Sequence, residues 1–73
     1  MSWKYEVEKI VCKICPVEES FSLEDIYVYG DHFKQLYPNN NHIEDKIRQV
    51  LQVLRDEGML EFIDNNGRYY RLK

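Results

Sequence analysis

The 73-residue sequence has few residues that interrupt a globular chain: three glycines, two prolines and no biased tract. This scarcity argues against a disordered segment or an internal linker. No apolar run approaches the ~18 residues that a membrane span needs, and the first residues lead into a charged segment rather than a signal core. Since 44% of the residues are hydrophobic, we expect one soluble, cytoplasmic domain over residues 1–73, monomeric and without a membrane partner.

Cysteine is also scarce, and the only two, Cys12 and Cys15, form a C-x-x-C pair followed by Pro16. Half zinc sites, redox pairs and ordinary helix turns all use this spacing. A structural zinc would need two more ligands, and His32 and His42 are too far apart in sequence for a classical finger. We therefore predict two small side chains near a helix end, with no metal and no cofactor. Zinc binding and redox chemistry remain alternatives.

The net charge of -3 argues against a protein that coats nucleic acid indiscriminately, because that mode of binding needs a dense basic surface. The charge is unevenly distributed along the chain. Residues 1–33 hold three lysines and seven acidic residues, a net of -4, whereas residues 34–73 hold seven basic and six acidic residues, a net of +1. The excess of cationic groups therefore lies in the second half of the chain.

The first half predicts two helices. Apolar residues recur at helical spacing from Trp3 to Ile14, and Pro16 ends that series. A second helix is predicted after Ser22, which can cap it, with Asp25 three positions later completing a capping box. Pro38 marks its end, because the residue before a proline is pushed out of helical geometry.

The second half predicts a third helix followed by a hairpin. Asn41 is the expected N-cap, Gly58 is the expected closing residue, and the apolar stripe between them consists of Ile43, Ile47, Val50, Leu51 and Leu54. The segments "MLEFID" and "RYYRLK" flank a turn at Asn66-Gly67. The predicted fold is mainly α with a small β-hairpin, a winged helix-turn-helix in the order helix-helix-helix-strand-strand. In this plan the third helix enters a DNA major groove and the hairpin touches the adjacent backbone.

The third helix has an unusual polar face. At about 100° per residue, the side chains that point away from the stripe are Asn41, Asp45, Arg48, Gln49, Gln52 and Asp56. Arginine matches guanine O6 and N7, glutamine or asparagine matches adenine N6 and N7, and aspartate can accept from an exocyclic amine. A face that is merely solvated remains the alternative, although Lys and Glu are more usual there.

Four further cations suit phosphate contacts: Lys46 and Arg55 on the flanks of this helix, and Arg68 and Arg71 on the hairpin. The hairpin aromatics could pack the sheet or stack on an exposed base. The candidate DNA-binding residues are Asn39, Asn40, Asn41, His42, Asp45, Lys46, Arg48, Gln49, Gln52, Arg55, Arg68 and Arg71.

Three segments, "FSLEDIYVY", "LYPNNNHIEDKIRQVLQVLRDEGMLEF" and "GRYYR", carry a more specific resemblance. From about Phe21 to Arg71 the sequence resembles the C-terminal winged-helix domain of DpnI-type (Dam-replacing) methyl-directed restriction endonucleases. The resemblance implies a module that binds double-stranded DNA and recognises N6-methyladenine in G-A-T-C sites through the major groove, as part of or as a relative of such an enzyme.

No nuclease core is recognisable in the sequence. Metal-dependent restriction cores place a P-D carboxylate upstream of a D/E-x-K on a strand, and the only candidate, Glu44-Asp45-Lys46, falls on a predicted helix without a partner. We therefore expect no enzyme activity from this chain by itself. The alternative function is a winged helix that mediates protein interaction or dimerisation without methyl specificity.

Overall fold

The described residues form four helices and a three-stranded sheet. The computed structural model describes residues 2–64 and 66–73, so Met1 and Asn65, the first residue of the "NNG" turn, lie outside the described residues. The elements in chain order are α1 (Trp3–Ile14), β1 (Ser20–Ser22), α2 (Leu23–Tyr27), α3 (Gly30–Leu36), α4 (Ile43–Asp56), β2 (Leu60–Asp64) and β3 (Arg68–Arg71).

The first predicted helix is confirmed as α1. Ser2 caps it, because its Oγ accepts the backbone N–H of Tyr5 at 3.1 Å and so satisfies a donor that has no partner inside the helix. Val7 and Val11, at the centre of the inward stripe, are fully buried, and Trp3 and Ile14 at its ends are partly buried. The helix ends before Pro16, as the sequence indicates.

The second predicted helix is correct at its start and wrong in its continuity. The Ser22 N–H donates to Asp25 Oδ2 at 2.9 Å, which supports the predicted capping box. The helix then divides into α2 and α3, and at the junction the Tyr29 N–H donates to the Ile26 carbonyl, only three residues back, at 2.9 Å. Val28, which is β-branched, and the glycine at position 30 both have low helix propensity. The helix is therefore weak at this point.

The start of α4 differs by one residue from the prediction. Its N-cap is His42 rather than Asn41, and the His42 side chain makes no capping hydrogen bond. Asn40 takes part instead, since its Oδ1 accepts the His42 N–H at 2.7 Å. The run of asparagines therefore forms a turn that leads into α4, and the helix begins at Ile43.

The end of α4 is as predicted. Gly58 has φ +85°, a left-handed conformation that glycine adopts without steric cost. The Gly58 N–H donates to the Arg55 carbonyl and the Met59 N–H to the Leu54 carbonyl, each at 3.0 Å. These two bonds form a Schellman motif, which turns the chain directly into β2.

The sheet contains one strand more than the sequence predicts. β1 pairs antiparallel with β3, and the strand order is β1-β3-β2, so that Tyr69 lies between Phe21 and Phe62. β1 has only three residues, which are too few to show an alternating pattern in the sequence. We call the hairpin of β2, residues 65–67 and β3 the wing.

The core lies between the helices and one face of the sheet. α4 packs against α1, α2, α3 and β2 and supplies its whole predicted apolar stripe to this core. The winged helix-turn-helix fold class is confirmed, with α2, α3 and α4 as the helix-turn-helix. Among the described residues, no helix has the length and apolar character of a membrane span. The largest fully buried side chains are Phe33, Ile26, Ile47, Leu51, Leu54, Leu60, Val7 and Val11.

Candidate nucleic-acid interface

The outward face of α4 (Asp45, Arg48, Gln49 and Gln52) is exposed, as the helical period predicts. Its position follows from the buried stripe on the opposite side of the same helix. The structure records no hydrogen bond from the side chains of Gln49 and Gln52 to the described part of the chain. Their amide donors and acceptors are therefore open to an external partner.

Arg48 is held by a neighbour on its own helix. Its Nη2 donates to Asp45 Oδ1, and on the other side of that carboxylate His42 Nδ1 lies 3.9 Å from Oδ2. The pKa of Arg48 is raised from its ordinary value, first by the hydrogen bond to Asp45 and then by the nearby Tyr27 hydroxyl. The pKa of Tyr27 is raised mainly by burial, so this phenol stays neutral beside the guanidinium.

The turn before α4 is fixed by a residue that the sequence analysis missed. Lys34, in the last turn of α3, donates through Nζ to the Asn40 carbonyl at 3.1 Å. A basic residue near a helix C-terminus is the signal that could have identified it. Lys34 and residues 40–45 line an open cavity of about 420 Å³ at the start of α4. Asn41 is exposed at this cavity, and Asn39 is exposed in the turn that precedes it.

The cations on the flanks of α4 differ from each other. Lys46 is half-buried, and no salt bridge of its side chain is recorded within residues 2–64 and 66–73. The Arg55 guanidinium lies 4.4 Å from the centre of the Phe62 ring and donates to Asp56 Oδ1 at 3.1 Å. Arg55 therefore connects the end of α4 to the wing, and its outer edge remains half-exposed.

A cleft of about 220 Å³ is lined by the start of α2, the middle of α4 and the wing. Leu23, Phe62 and Tyr69 supply its apolar surface, and the Phe62 ring meets the Tyr69 ring edge to face at 5.0 Å. Tyr69 is buried, which raises the pKa of its phenol, and Phe62 is 37% exposed. We call this space the wing cleft; its lining residues are Leu23, Arg48, Phe62, Asp64, Gly67 and Tyr69.

The tip of the wing is attached to the start of α2. The Leu23 N–H donates to the Gly67 carbonyl at 2.8 Å. Gly67 has φ +83°, and a Cβ there would lie 2.7 Å from Leu23 Cδ1. Only glycine fits this contact without a shift. The Asn66-Gly67 turn therefore holds the wing tip against Leu23 and so shapes one end of the wing cleft.

The two arginines of the wing lie in different places. Arg68, at the tip, is exposed, and its closest recorded side-chain partner is Ser20 Oγ at 3.4 Å. Arg71, at the base, donates to the carbonyls of Cys15 and Lys73, each at 2.7 Å. The structure does not bring Arg71 to the outward face of α4, and its phosphate contact stays a prediction.

The C-x-x-C pair lies at the end of α1, where the Cys15 carbonyl accepts a hydrogen bond from Arg71 at the base of the wing. Both cysteines are free; Cys12 is exposed and Cys15 is buried, with its Sγ donating to the Glu19 carbonyl at 3.2 Å. Burial raises the pKa of the Cys15 thiol. In the described part of the chain, no group of three or more His, Cys, Asp or Glu residues is arranged to hold a metal ion.

Comparison with known protein families adds evidence that is independent of the geometry. The sequence model of the Dam-replacing HTH domain matches residues 1–71. The chain belongs to this family. The match includes α1, which lies outside the segment from Phe21 to Arg71 that carries the resemblance by residues. Membership of the Dam-replacing HTH family indicates a DNA-binding domain, and it agrees with the exposed polar face on α4.

Proposed function

We propose that this Dam-replacing HTH domain binds double-stranded DNA at G-A-T-C sites and recognises N6-methyladenine through the major groove. The observation that carries the proposal is the outward face of α4, where Arg48, Gln49 and Gln52 are exposed on the helix that a winged helix-turn-helix inserts into the groove. The chain would act as the binding module of, or as a relative of, a methyl-directed restriction endonuclease. Any cleavage would belong to a separate nuclease domain.

Base recognition is assigned to the middle of α4. Arg48 matches the paired acceptors of guanine, and Gln49 or Gln52 matches the donor and acceptor of adenine. N6-methylation leaves adenine one N–H donor and adds a methyl group in the major groove. A protein that recognises it must accept the remaining hydrogen and also provide an apolar wall for the methyl group.

The apolar wall is assigned to the wing cleft. Leu23, Phe62 and Tyr69 present carbon surface there, and Arg48 lines the same space. A methyl group placed beside Arg48 would therefore have carbon surface available in the same cleft, which Asp64 also lines. This arrangement supports methyl recognition because base contact and apolar contact are available side by side.

Phosphate contacts are assigned to the groups around this face. Lys46 and Arg55 flank it on α4, and Arg68 lies at the wing tip. The turn from Asn39 to His42, held by Lys34, lies at the end of α4 that would enter the groove. Contacts of this kind position the protein and carry no sequence information. The base-reading residues then depend on them for register.

A titration with three duplexes tests the proposal: a fully adenine-methylated G-A-T-C site, the same site unmethylated, and a scrambled site of equal composition. The methylated duplex should bind most tightly. The slope of log affinity against log salt should be about -3 to -5, because each neutralised phosphate contributes about -0.9. Equal affinity for the methylated and unmethylated duplexes would refute methyl recognition.

Replacing Gln49 by Ala tests whether this side chain contacts a base. Loss of a base contact should reduce affinity for the methylated site by about 1 to 3 kcal/mol and narrow the gap to the unmethylated site. Gln35, exposed on α3, provides the matched control. If Gln35→Ala and Gln49→Ala had equal effects, the assignment of Gln49 to a base edge would be wrong.

The second candidate is a protein-interaction module. It is favoured by three exposed apolar side chains at the second half of α4 and on β2, namely Val53, Phe62 and Ile63, which are 40%, 37% and 50% exposed. A salt slope near zero, with no preference among the three duplexes, would support this candidate and contradict DNA recognition.

A further inference from the structure

The Asp45–Arg48 pair has a consequence for binding beyond base contact. Arg48 is the cation assigned to a guanine edge, and in the free protein it is already engaged by the carboxylate of Asp45. His42 flanks the same carboxylate at 3.9 Å. Gln49 and Gln52, next to it on the outward face, have no recorded partner of this kind within the described residues.

The pair changes how α4 attracts a phosphate backbone. The ion pair of a guanidinium and a carboxylate has no net charge, and the carboxylate itself repels phosphate. Glu44 precedes Asp45 in the first turn of the helix, and Asp64 lines the same wing cleft as Arg48. Non-specific DNA binding comes mainly from cations that no acidic side chain neutralises. The Asp45–Arg48 pair and its acidic neighbours therefore contribute little to non-specific binding.

The pair is also easy to separate. The side chains of Arg48 and Asp45 are 53% and 63% exposed, and exposed pairs in water are weak and screened by salt. Arg48 can therefore exchange Asp45 for another acceptor at small cost. What happens to Asp45 after the exchange then decides which DNA sequences are bound.

We propose that Asp45 is a specificity-determining residue, whose carboxylate neutralises Arg48 away from the cognate site and releases it to a guanine edge. The inference rests on the proposed function. At a guanine, O6 and N7 replace the carboxylate as acceptors for Arg48, and Asp45 can accept from the exocyclic amine of a neighbouring base. On a phosphate, Arg48 is equally satisfied, but Asp45 faces negative charge without a donor. Both side chains are satisfied only where acceptor and donor edges are adjacent.

The test compares the unmutated chain with Asp45→Asn on the methylated G-A-T-C duplex and on the scrambled duplex, at several salt concentrations. Asparagine has nearly the same size and removes the charge. Affinity for the scrambled duplex should rise by about threefold or more, and its salt slope should steepen by about 0.9, because Arg48 becomes free to neutralise one phosphate. Affinity for the methylated site should rise less or fall, so that the ratio between the two duplexes decreases.

Two further variants separate this role from a general effect of charge. Asp31→Asn removes one carboxylate from an exposed position on α3 where no salt bridge is recorded among the described residues, and it should leave the ratio unchanged. Asp45→Glu keeps the charge within reach of Arg48 and should retain low affinity for the scrambled duplex. In an Arg48→Gln background, Asp45→Asn should lose most of its effect on the scrambled duplex.

Several results would overturn the inference: an unchanged ratio in Asp45→Asn, an equal change in Asp31→Asn, or an undiminished effect in the Arg48→Gln background. Thermal melting of each variant confirms that the compared proteins are folded at the temperature of the titration. If the unmutated chain binds none of the duplexes, the proposed function fails together with this inference. If it binds the methylated site selectively and Asp45→Asn does so equally, only the inference fails.

Discussion

The tip and the base of the wing each carry an arginine, and the two side chains have opposite surroundings. At the tip, Arg68 is exposed, with one long contact to Ser20. At the base, Arg71 is half-buried and donates to the carbonyl of Cys15, 56 residues away in sequence, and to that of Lys73. The first arginine is available to a ligand, and the second connects β3 to the end of α1.

Strand alternation explains the difference. Successive side chains of a strand point to opposite faces, so Arg71 shares a face with Tyr69, whose ring is buried, and Arg68 does not. The sequence places both arginines on the hairpin, but strand alternation places their side chains on opposite faces of β3. Two residues of the same type on one short strand can therefore serve binding and stability separately.

The largest effect is expected from Gly67→Ala, which disturbs the tip. A left-handed conformation costs a non-glycine residue about 1 to 2 kcal/mol. The new Cβ would also lie 2.7 Å from Leu23 Cδ1, and overpacking of this kind costs about 1 to 3 kcal/mol. Urea denaturation should show a loss of about 2 to 5 kcal/mol in the free energy of unfolding, the sum of these two ranges.

Gly58→Ala is the matched control for Gly67→Ala. Gly58 has nearly the same φ, but the nearest atom to a Cβ there is Lys73 Nζ at 3.8 Å, the end of a flexible side chain. The control should lose only the conformational part, about 1 to 2 kcal/mol. If both variants lost the same amount, the contact between the wing tip and α2 would not constrain the fold.

At the base of the wing, Arg71→Ala should lower stability and leave binding nearly unchanged. Two hydrogen bonds from a charged group to carbonyls are lost, and such bonds contribute about 1.5 to 3 kcal/mol each at most, partly compensated by water. The free energy of unfolding from urea denaturation should fall by about 1.5 to 3 kcal/mol. Affinity for the methylated duplex, measured where the variant is folded, should stay within about twofold, because a side chain engaged by carbonyls neutralises no phosphate. A tenfold loss of affinity with unchanged stability would instead support the predicted phosphate contact.

Arg68→Ala should lower the affinity for DNA and should have the smallest effect on stability of these variants. Affinity should fall nearly alike for all three duplexes, and the salt slope should become shallower by about 0.9, as expected for one lost phosphate contact. Arg68→Lys keeps the charge and should preserve the slope. A loss confined to the methylated duplex would show that Arg68 contacts a base instead.

Most helix boundaries were predictable because their signals are local. The apolar stripe of α4, the closing Gly58 and the stop at Pro16 each depend on residues within one or two helical turns. The predicted cap at Asn41 was wrong by one position, because Asn40 forms its own turn with the His42 N–H. Competition among three consecutive asparagines is settled by the path of the chain, to which Lys34 also contributes.

The candidate site was predictable on α4 and less so around it. Helical periodicity correctly exposes Asp45, Arg48, Gln49 and Gln52. It gives no sign that Tyr27 lies near Arg48 or that the wing cleft exists, since the cleft combines the start of α2, the middle of α4 and the wing. The spacing of Asp45 and Arg48 permits a pair, but a spacing of three does not require one.

The sequence by itself determined the winged-helix class, the buried stripe and the polar face of α4, because side-chain periodicity and capping act within a single element. Tertiary structure alone decided the additional strand β1, the division into α2 and α3, and the different surroundings of Arg68 and Arg71. β1 exists because β3 pairs with it, with Ser20 opposite Tyr70 and Phe21 opposite Tyr69, and Arg71 is held because the end of α1 lies beside the base of the wing. Contacts between segments about 50 residues apart form only when the core brings those segments together, and no local pattern encodes them.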